Sequence, residues 1–496
     1  MSVVLFSRLY IVICAGSILL TGCALFQPTG RPSDPLDALR YDIDSVLVDS
    51  IFIPARTSIK VVSLDTREIL YERDSKLLMR PASNMKLLTS ATALNVLGTD
   101  FKFKTSVSAD APVIDGVLEG DLYFKGFGNP DLKTSDLDTL VRQIRAQGIR
   151  AVRGRVVADV SYFDDFYWGY GWNWDYEPYQ YAAFISPLSI NDNCVRVKAT
   201  PGQNAGDSIQ VEIVPPTGFV SLINTGTTVA DTVIRRLSVT RPYKERQNVV
   251  IVDGEMLTTS RPVERQISVW KPELYAARLL TEALWRDSVL IETEPIISVT
   301  PATARELAVH YQGLDSMVVN LNKSSDNLSA ELALKTLCAV RRGIPASVEG
   351  GVYLINEFLD SLGIDTTKYF IADGSGLSFH NLLTAEMITQ LLTAMTDRAD
   401  IFPLFYESLP IAGVDGTIRS RMKGTLAEGN LRAKTGTISG VSSLSGYVTT
   451  LDGEHLVFSM SMQNFIYPTR LYQQAQDSIG ALLAGFSRVG RRIAQR

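Results

Sequence analysis

The sequence predicts an α/β (α+β) fold in which one discontinuous domain, built from both ends of the chain, surrounds a β-rich insertion. Two observations carry this. Segments near each end combine strand hairpins with apolar helices, whereas the block between about residue 100 and 268 breaks into short β-type runs separated by Gly, Pro and Asn. The shift in composition places the split domain at 37–100 and 270–496, and the inserted domain, or two nested ones, at 101–269.

Ahead of the fold, Arg8 precedes an apolar run from Leu9 to Leu20 that is too short to span a bilayer, and Leu20-Thr21-Gly22-Cys23 follows. Residues 1–22 resemble a bacterial lipoprotein signal, which implies lipidation of Cys23 and a lipid anchor to a membrane of the cell envelope, on the periplasmic side. A plain secretory signal with a chance Cys is the alternative; either reading implies export. Residues 23–36, rich in Pro and Gly, read as a tether.

Ile59 to Tyr71 reads as two strands joined at Asp65-Thr66-Arg67. After Ser83, apolar residues at Leu87, Leu88, Ala91, Leu94 and Leu97 follow helical spacing, and Gly98 stands where a C-terminal cap belongs. Inside the insertion, Asp121–Lys125, Gln210–Val214, Thr227–Ala230 and Val249–Val252 are β-type runs. Tyr162 to Tyr181 holds eleven aromatics in twenty residues. That tract suits either a stacking platform or, the reading preferred here, the packing centre of an insert with little other core. A helix begins at Pro272, a strand lies near Ile296, and the dense apolar text from Asp326 to Arg341 predicts a helix buried on most sides. Thr384 is placed to cap a helix ending at Met395; Val441–Thr449 and His455–Met462 alternate like adjacent strands, and an amphipathic helix closes the chain at 473–488.

At 496 residues, with 46% hydrophobic and 20% charged residues, the chain can bury a sizeable core. Its net charge of -5 and lack of a Lys/Arg cluster argue against nucleic acid as a partner. Three histidines and no paired-Cys motif make a metal site improbable, and no cofactor motif is present. Cys194 and Cys338 are expected to be buried thiols.

Ser83-Asn84-Met85-Lys86 puts a hydroxyl and an amine one helical turn apart on one face, a nucleophile beside a base. The spacing alone is weak, because it recurs at Ser268–Lys271 and Ser420–Lys423, and a serine at a helix start is often only an N-cap. Context separates them: Ser83 alone opens a clear helix. Ser325-Asp326-Asn327 then precedes the second helix and Lys434-Thr435-Gly436-Thr437 precedes a strand.

These three motifs in this order are the signature of penicillin-binding proteins and serine β-lactamases. With 325 − 83 = 242 residues between the first two serines, the chain resembles the D-alanyl-D-alanine carboxypeptidase/endopeptidase family of class C low-molecular-mass penicillin-binding proteins, peptidase family S13. Gly128-Asn129-Pro130-Asp131-Leu132, Gly171–Asp175, Asp373–Ser378 and Gly413–Thr417 are also similar to that family. The resemblance implies an antiparallel sheet flanked by helices, Ser83 as nucleophile, Lys86 as base, and Ser325 as proton relay. It further implies Asn327, Lys434, Thr435 and Thr437 as substrate-binding residues, and an oxyanion hole from the backbone N–H groups of Ser83 and Thr437. Burial and a Lys434 cation are expected to keep Lys86 neutral, Asp326 to cap its helix, and no glutamate is placed beside the site from sequence. The implied partners are peptidoglycan stem peptides as substrates and β-lactams as inhibitors. A non-catalytic peptidoglycan-binding or β-lactam-sensing protein is the rival reading.

Overall fold

The computed structural model describes residues 30–489; Cys23, the signal and most of the tether lie outside the described residues. A five-stranded antiparallel sheet organises the split domain, in the order Arg432–Ile438, Val441–Thr449, His455–Gln463, Arg56–Ser63, Ile69–Arg73. Strands from the two chain ends therefore meet at its centre, with Ile59 opposite Met460. This sheet carries cores on both faces, as a sheet buried on two sides must. One packs it against Pro35–Val46 and Thr469–Ala484 through residues such as Ile43, Phe458 and Tyr472. The other packs the helices Met85–Leu97, Leu314–Lys323, Asn327–Arg342, Val348–Ser361 and Ala385–Met395 together through Leu88, Leu321, Leu334 and Leu391.

Several local expectations match these elements. The hairpin pairs Val61 with Tyr71, and Gly98 ends its helix at φ +82°. Asp326 accepts a hydrogen bond from Ser329 N and Thr384 from Met387 N, each satisfying an orphan donor of its helix. Cys194 and Cys338 are free and buried. The tether ends earlier than composition indicates, because Asp34 caps a helix that starts at Pro35.

The insertion departs from its outline in two ways. It contains two helices, Thr134–Ala146 and Pro272–Arg286, as well as strands. Its main sheet runs Ile296–Ile297, Val156–Asp159, Leu122–Gly126, Lys102–Ala109, Arg305–Gly313, so the composition boundary at 269 falls inside the packed unit. Helical spacing at Pro272 was legible, but spacing does not say which core the apolar face joins. Tyr275, Leu280 and Leu284 join Val107, Phe124 and Val250 in one continuous core that also spans the second sheet around Cys194–Thr200.

That core corrects the reading of the aromatic tract. The insertion does not depend on it for packing. Instead Phe163, Trp172 and Ile185 pack on Leu328, Leu332 and Leu377 of the split domain, forming a separate cluster between the two domains. The buried Lys335 amine reinforces it by donating to Asp164 Oδ1 and, at 2.8 Å, to the Phe166 carbonyl.

Candidate active site

Ser83 lies on a single 3-10 turn, Ala82–Asn84, that runs into the helix Met85–Leu97. It caps nothing: the N-cap position belongs to Asn84, and no side chain makes a capping bond there. Two close approaches hold the turn. A Cβ on Gly376, which sits at φ +84°, would lie 1.8 Å from the Ala82 carbonyl oxygen, so only glycine lets the Asp373–Ser378 loop approach so closely. A Cβ on Gly436 would lie 2.5 Å from the Pro81 carbonyl oxygen, which accepts a 2.7 Å hydrogen bond from Ser443 Oγ. Between these contacts Ala82 is held at φ +47°, a conformation that costs an L-residue about 1–2 kcal/mol.

Lys86 is fully buried. Its Nζ has three partners: Ser83 Oγ at 3.0 Å, Asn327 Oδ1 at 2.5 Å and the Ser375 carbonyl at 2.7 Å. The last two are acceptors only, whereas a hydroxyl can also donate. A neutral amine placed here must give its two N–H groups to Asn327 and Ser375, which leaves its lone pair facing Ser83. Burial lowers the Lys86 pKa to about 8, against the opposing pull of Asp326, Asp373 and Glu331.

Lys434 is equally buried, and burial followed by the charge of Lys86 pushes its pKa well below the usual lysine range. Lys434 Nζ donates to Ser325 Oγ at 2.7 Å and to the Thr435 carbonyl at 3.0 Å. Ser325 is held at φ +59° immediately before the cap of the Asn327 helix.

Thr435 and Thr437 lie on Arg432–Ile438, an edge strand of the sheet, paired with Leu444 and Ser442. Thr437 is exposed, and the Thr435 hydroxyl meets that of Thr417 at 2.8 Å. An edge strand offers unpaired backbone groups to an extended peptide. Two hydrogen-bonded sets result: Lys86 with Ser83 and Asn327, and Lys434 with Ser325 at the edge strand that carries Thr435 and Thr437.

Residues 39–484 match the model of the D-Ala-D-Ala carboxypeptidase 3 (S13) family. The chain belongs to that family. It is 36% identical over 468 residues to the D-alanyl-D-alanine carboxypeptidase of Actinomadura sp. (strain R39), covering 91% of this chain and 85% of the relative. It is 27% identical over 406 residues to the D-alanyl-D-alanine carboxypeptidase DacB of Haemophilus influenzae, covering 80% and 83%. Its fold is similar to the crystal structure of penicillin binding protein 4 (dacB) from Haemophilus influenzae, with a TM-score of 0.78 at 24% identity over 90% of this chain and 99% of that one. This S13 peptidase is accordingly a serine-type D-Ala-D-Ala carboxypeptidase, a hydrolase.

Sequence reasoning missed part of the S13 site. Glu331, one helical turn beyond Asn327, is buried and accepts from Gly374 N at 3.1 Å and Ser375 N at 2.8 Å, so it aims the Ser375 carbonyl at Lys86. Burial and the nearby Asp373 raise its pKa to about 7. Asp373 ties the same loop together by accepting from Gly376 N, Ser378 N and the Trp172 indole. The Asn327 amide is held at both ends: its Nδ2 donates to the Tyr181 carbonyl at 2.6 Å while its Oδ1 accepts from Lys86. The available signals were a buried glutamate in register with Asn327 and the glycine-rich Asp373 loop; backbone carbonyls leave no mark in a sequence.

Among the described residues, no group of three or more His, Cys, Asp or Glu is placed to hold a metal ion. Neither decoy tetrapeptide pairs its serine hydroxyl with its lysine amine. Ser268 is buried in a strand and donates to the Glu177 carbonyl, while Ser420 and Lys423 lie exposed on the surface.

Proposed function

We propose that Ser83 attacks the carbonyl of the penultimate D-Ala of a peptidoglycan stem peptide, and that the observation carrying this reading is the Lys86 amine with its lone pair left only for Ser83. Lys86 takes the hydroxyl proton as Oγ bonds to the carbonyl carbon. The resulting oxyanion sits between the backbone N–H groups of Ser83 and Thr437. As the C–N bond breaks, the proton that Lys86 took passes through Ser325, which Lys434 holds in place, to the leaving amine, and Lys86 is neutral again. Water then adds to the ester and releases Ser83; among the described residues, Lys86 is the side chain that hydrogen-bonds Ser83 and serves as base again.

The terminal carboxylate of the substrate lies against Lys434, Thr435 and Thr417. Its negative charge favours protonation of Lys434, the opposite of the effect of burial. Where the departing group is a cross-linking diamino acid, the same steps make the enzyme an endopeptidase. A β-lactam enters as an analogue of the D-Ala-D-Ala terminus and acylates Ser83. The chain acts outside the cytoplasm, anchored to a membrane through a lipid on Cys23. Among the described residues no helix is long and apolar enough to cross a membrane.

Mass spectrometry of penicillin-treated protein tests the nucleophile: an adduct is expected on the wild type and absent on Ser83→Ala. An adduct that survives the substitution refutes the assignment. D-Ala release from a pentapeptide separates an enzyme from a β-lactam sensor. Metabolic labelling with a fatty acid is expected to tag the wild type and not Cys23→Ala.

A further inference from the structure

The aromatic tract has a second face. Away from the Lys335–Asp164 pair it lines, with Phe184 and Arg246, an open cavity of about 440 Å³, within the ~300–1,000 Å³ of small-molecule sites. Phe166, Trp168 and Trp174 supply aromatic walls, and Asp165 and Arg246 bring an acid and a base to the same space. Phe166 and Trp174 are 70% and 64% exposed, so apolar area is left for a ligand to cover.

The walls are braced from behind. Trp168 lies against Trp172 and against Phe184 at centroid distances of 5.4 Å each, Trp174 meets Tyr243 at 5.3 Å, and the Arg246 guanidinium lies 4.8 Å over the Trp270 ring. Beneath them the buried Arg241 pairs with Glu177 at 2.8 Å, fixing the chain on which Trp174 stands. A cavity held in shape this way loses little side-chain entropy on binding. None of these wall residues belongs to the hydrogen-bonded set around Ser83 and Lys86.

We propose that this cavity is a saccharide site, which takes an amino-sugar unit of the glycan strand whose stem peptide reaches Ser83. The inference rests on the DD-peptidase reading of the site. A pyranose presents an apolar C–H face that stacks on flat aromatic walls, and polar substituents around its rim that pair with a carboxylate and a guanidinium. A wholly apolar ligand would instead bury Asp165 and Arg246 without partners. Distance supports the pairing of the two sites. Glu177 lines the cavity, and the carbonyl of Tyr181, four residues on, accepts from Asn327 Nδ2, so at most about 13–14 Å of chain lies between Glu177 and that contact. An extended stem peptide of four residues spans about 13–14 Å.

The test compares D-Ala release from two substrates with one pentapeptide in common, one carrying its disaccharide and one sugar-free. The ratio of their kcat/KM values is the readout, in wild type, Trp174→Ala and Phe166→Ala, with penicillin acylation of each variant reporting an intact Ser83 centre. Each substitution is expected to lower that ratio by about tenfold, through KM of the disaccharide substrate, the loss of one stacking contact. An unchanged ratio overturns the saccharide site. So does an equal loss on a sugar-free cross-linked peptide, which would make the cavity a peptide site. If wild type releases no D-Ala from either substrate, the DD-peptidase reading fails, and calorimetric titration with a chito-oligosaccharide decides the cavity by itself. Binding that Trp174→Ala abolishes supports the site, and no binding to the wild type overturns it.

Discussion

Lys86 and Lys335 are both fully buried on helices that pack against each other, yet their surroundings give them opposite uses. Lys335 is paired with the Asp164 carboxylate and a carbonyl, which ties the aromatic tract to the split domain. Lys86 touches a hydroxyl, an amide oxygen and a carbonyl, with no carboxylate in contact, so burial loosens its proton. Burial without an ion pair makes a base; burial with one makes a fastener.

The comparison breaks first at its strongest point. Lys86→Met is expected to lower the rate of penicillin acylation by about 10²–10⁴-fold, the usual worth of general-base catalysis, without lowering the thermal midpoint. Lys335→Met should do the reverse, destabilising by about 1–3 kcal/mol because the half-buried Asp164 and the Phe166 carbonyl lose their donor, while the surviving folded fraction still acylates. Calorimetry and single-turnover acylation on both variants measure the two effects. A loss of acylation in folded Lys335→Met would erase the distinction.

Acidity sharpens the same contrast. Only the neutral amine accepts the Ser83 proton, so acylation should rise with pH and reach half its plateau near pH 8, where the folded Lys86 pKa lies. The Glu331 carboxylate favours the charged amine, so Glu331→Gln should move that limb to lower pH. A limb that moves upward, or does not move, would remove Glu331 from the surroundings of the base.

A smaller effect is expected from Gly376→Ala. The added Cβ would collide with the Ala82 carbonyl at a backbone angle of φ +84°, costing at least ~1–2 kcal/mol and displacing the Ser83 turn. The smallest belongs to the surface decoy. Ser420→Ala, on an exposed Ser-x-x-Lys match, should leave stability within about 0.5 kcal/mol of wild type and acylation unchanged.

Much of this was written in the chain. The hairpin before Ser83, the Gly98 stop, the Asp326 and Thr384 caps and the strand pair after Lys434 are local signals, and each element formed where its signal stood. Membership of the serine carboxypeptidase family was legible from three short motifs and their order. The insertion boundary was not, because the apolar face of Pro272–Arg286 has the same spacing whichever core receives it. The packing partner of the aromatic tract was hidden for the same reason: side-chain type predicts burial, not the surface that provides it.

The sequence by itself determined which residue types could do the chemistry and that Ser83 opens a helix with Lys86 one turn on. Only the tertiary structure decided that Lys86 has a free lone pair in one direction. Asn327, the Ser375 carbonyl and the Glu331 carboxylate that aims it come from segments more than two hundred residues away, and two of these contacts run through backbone atoms. Backbone groups are the same at every position, so their placement is settled by packing alone.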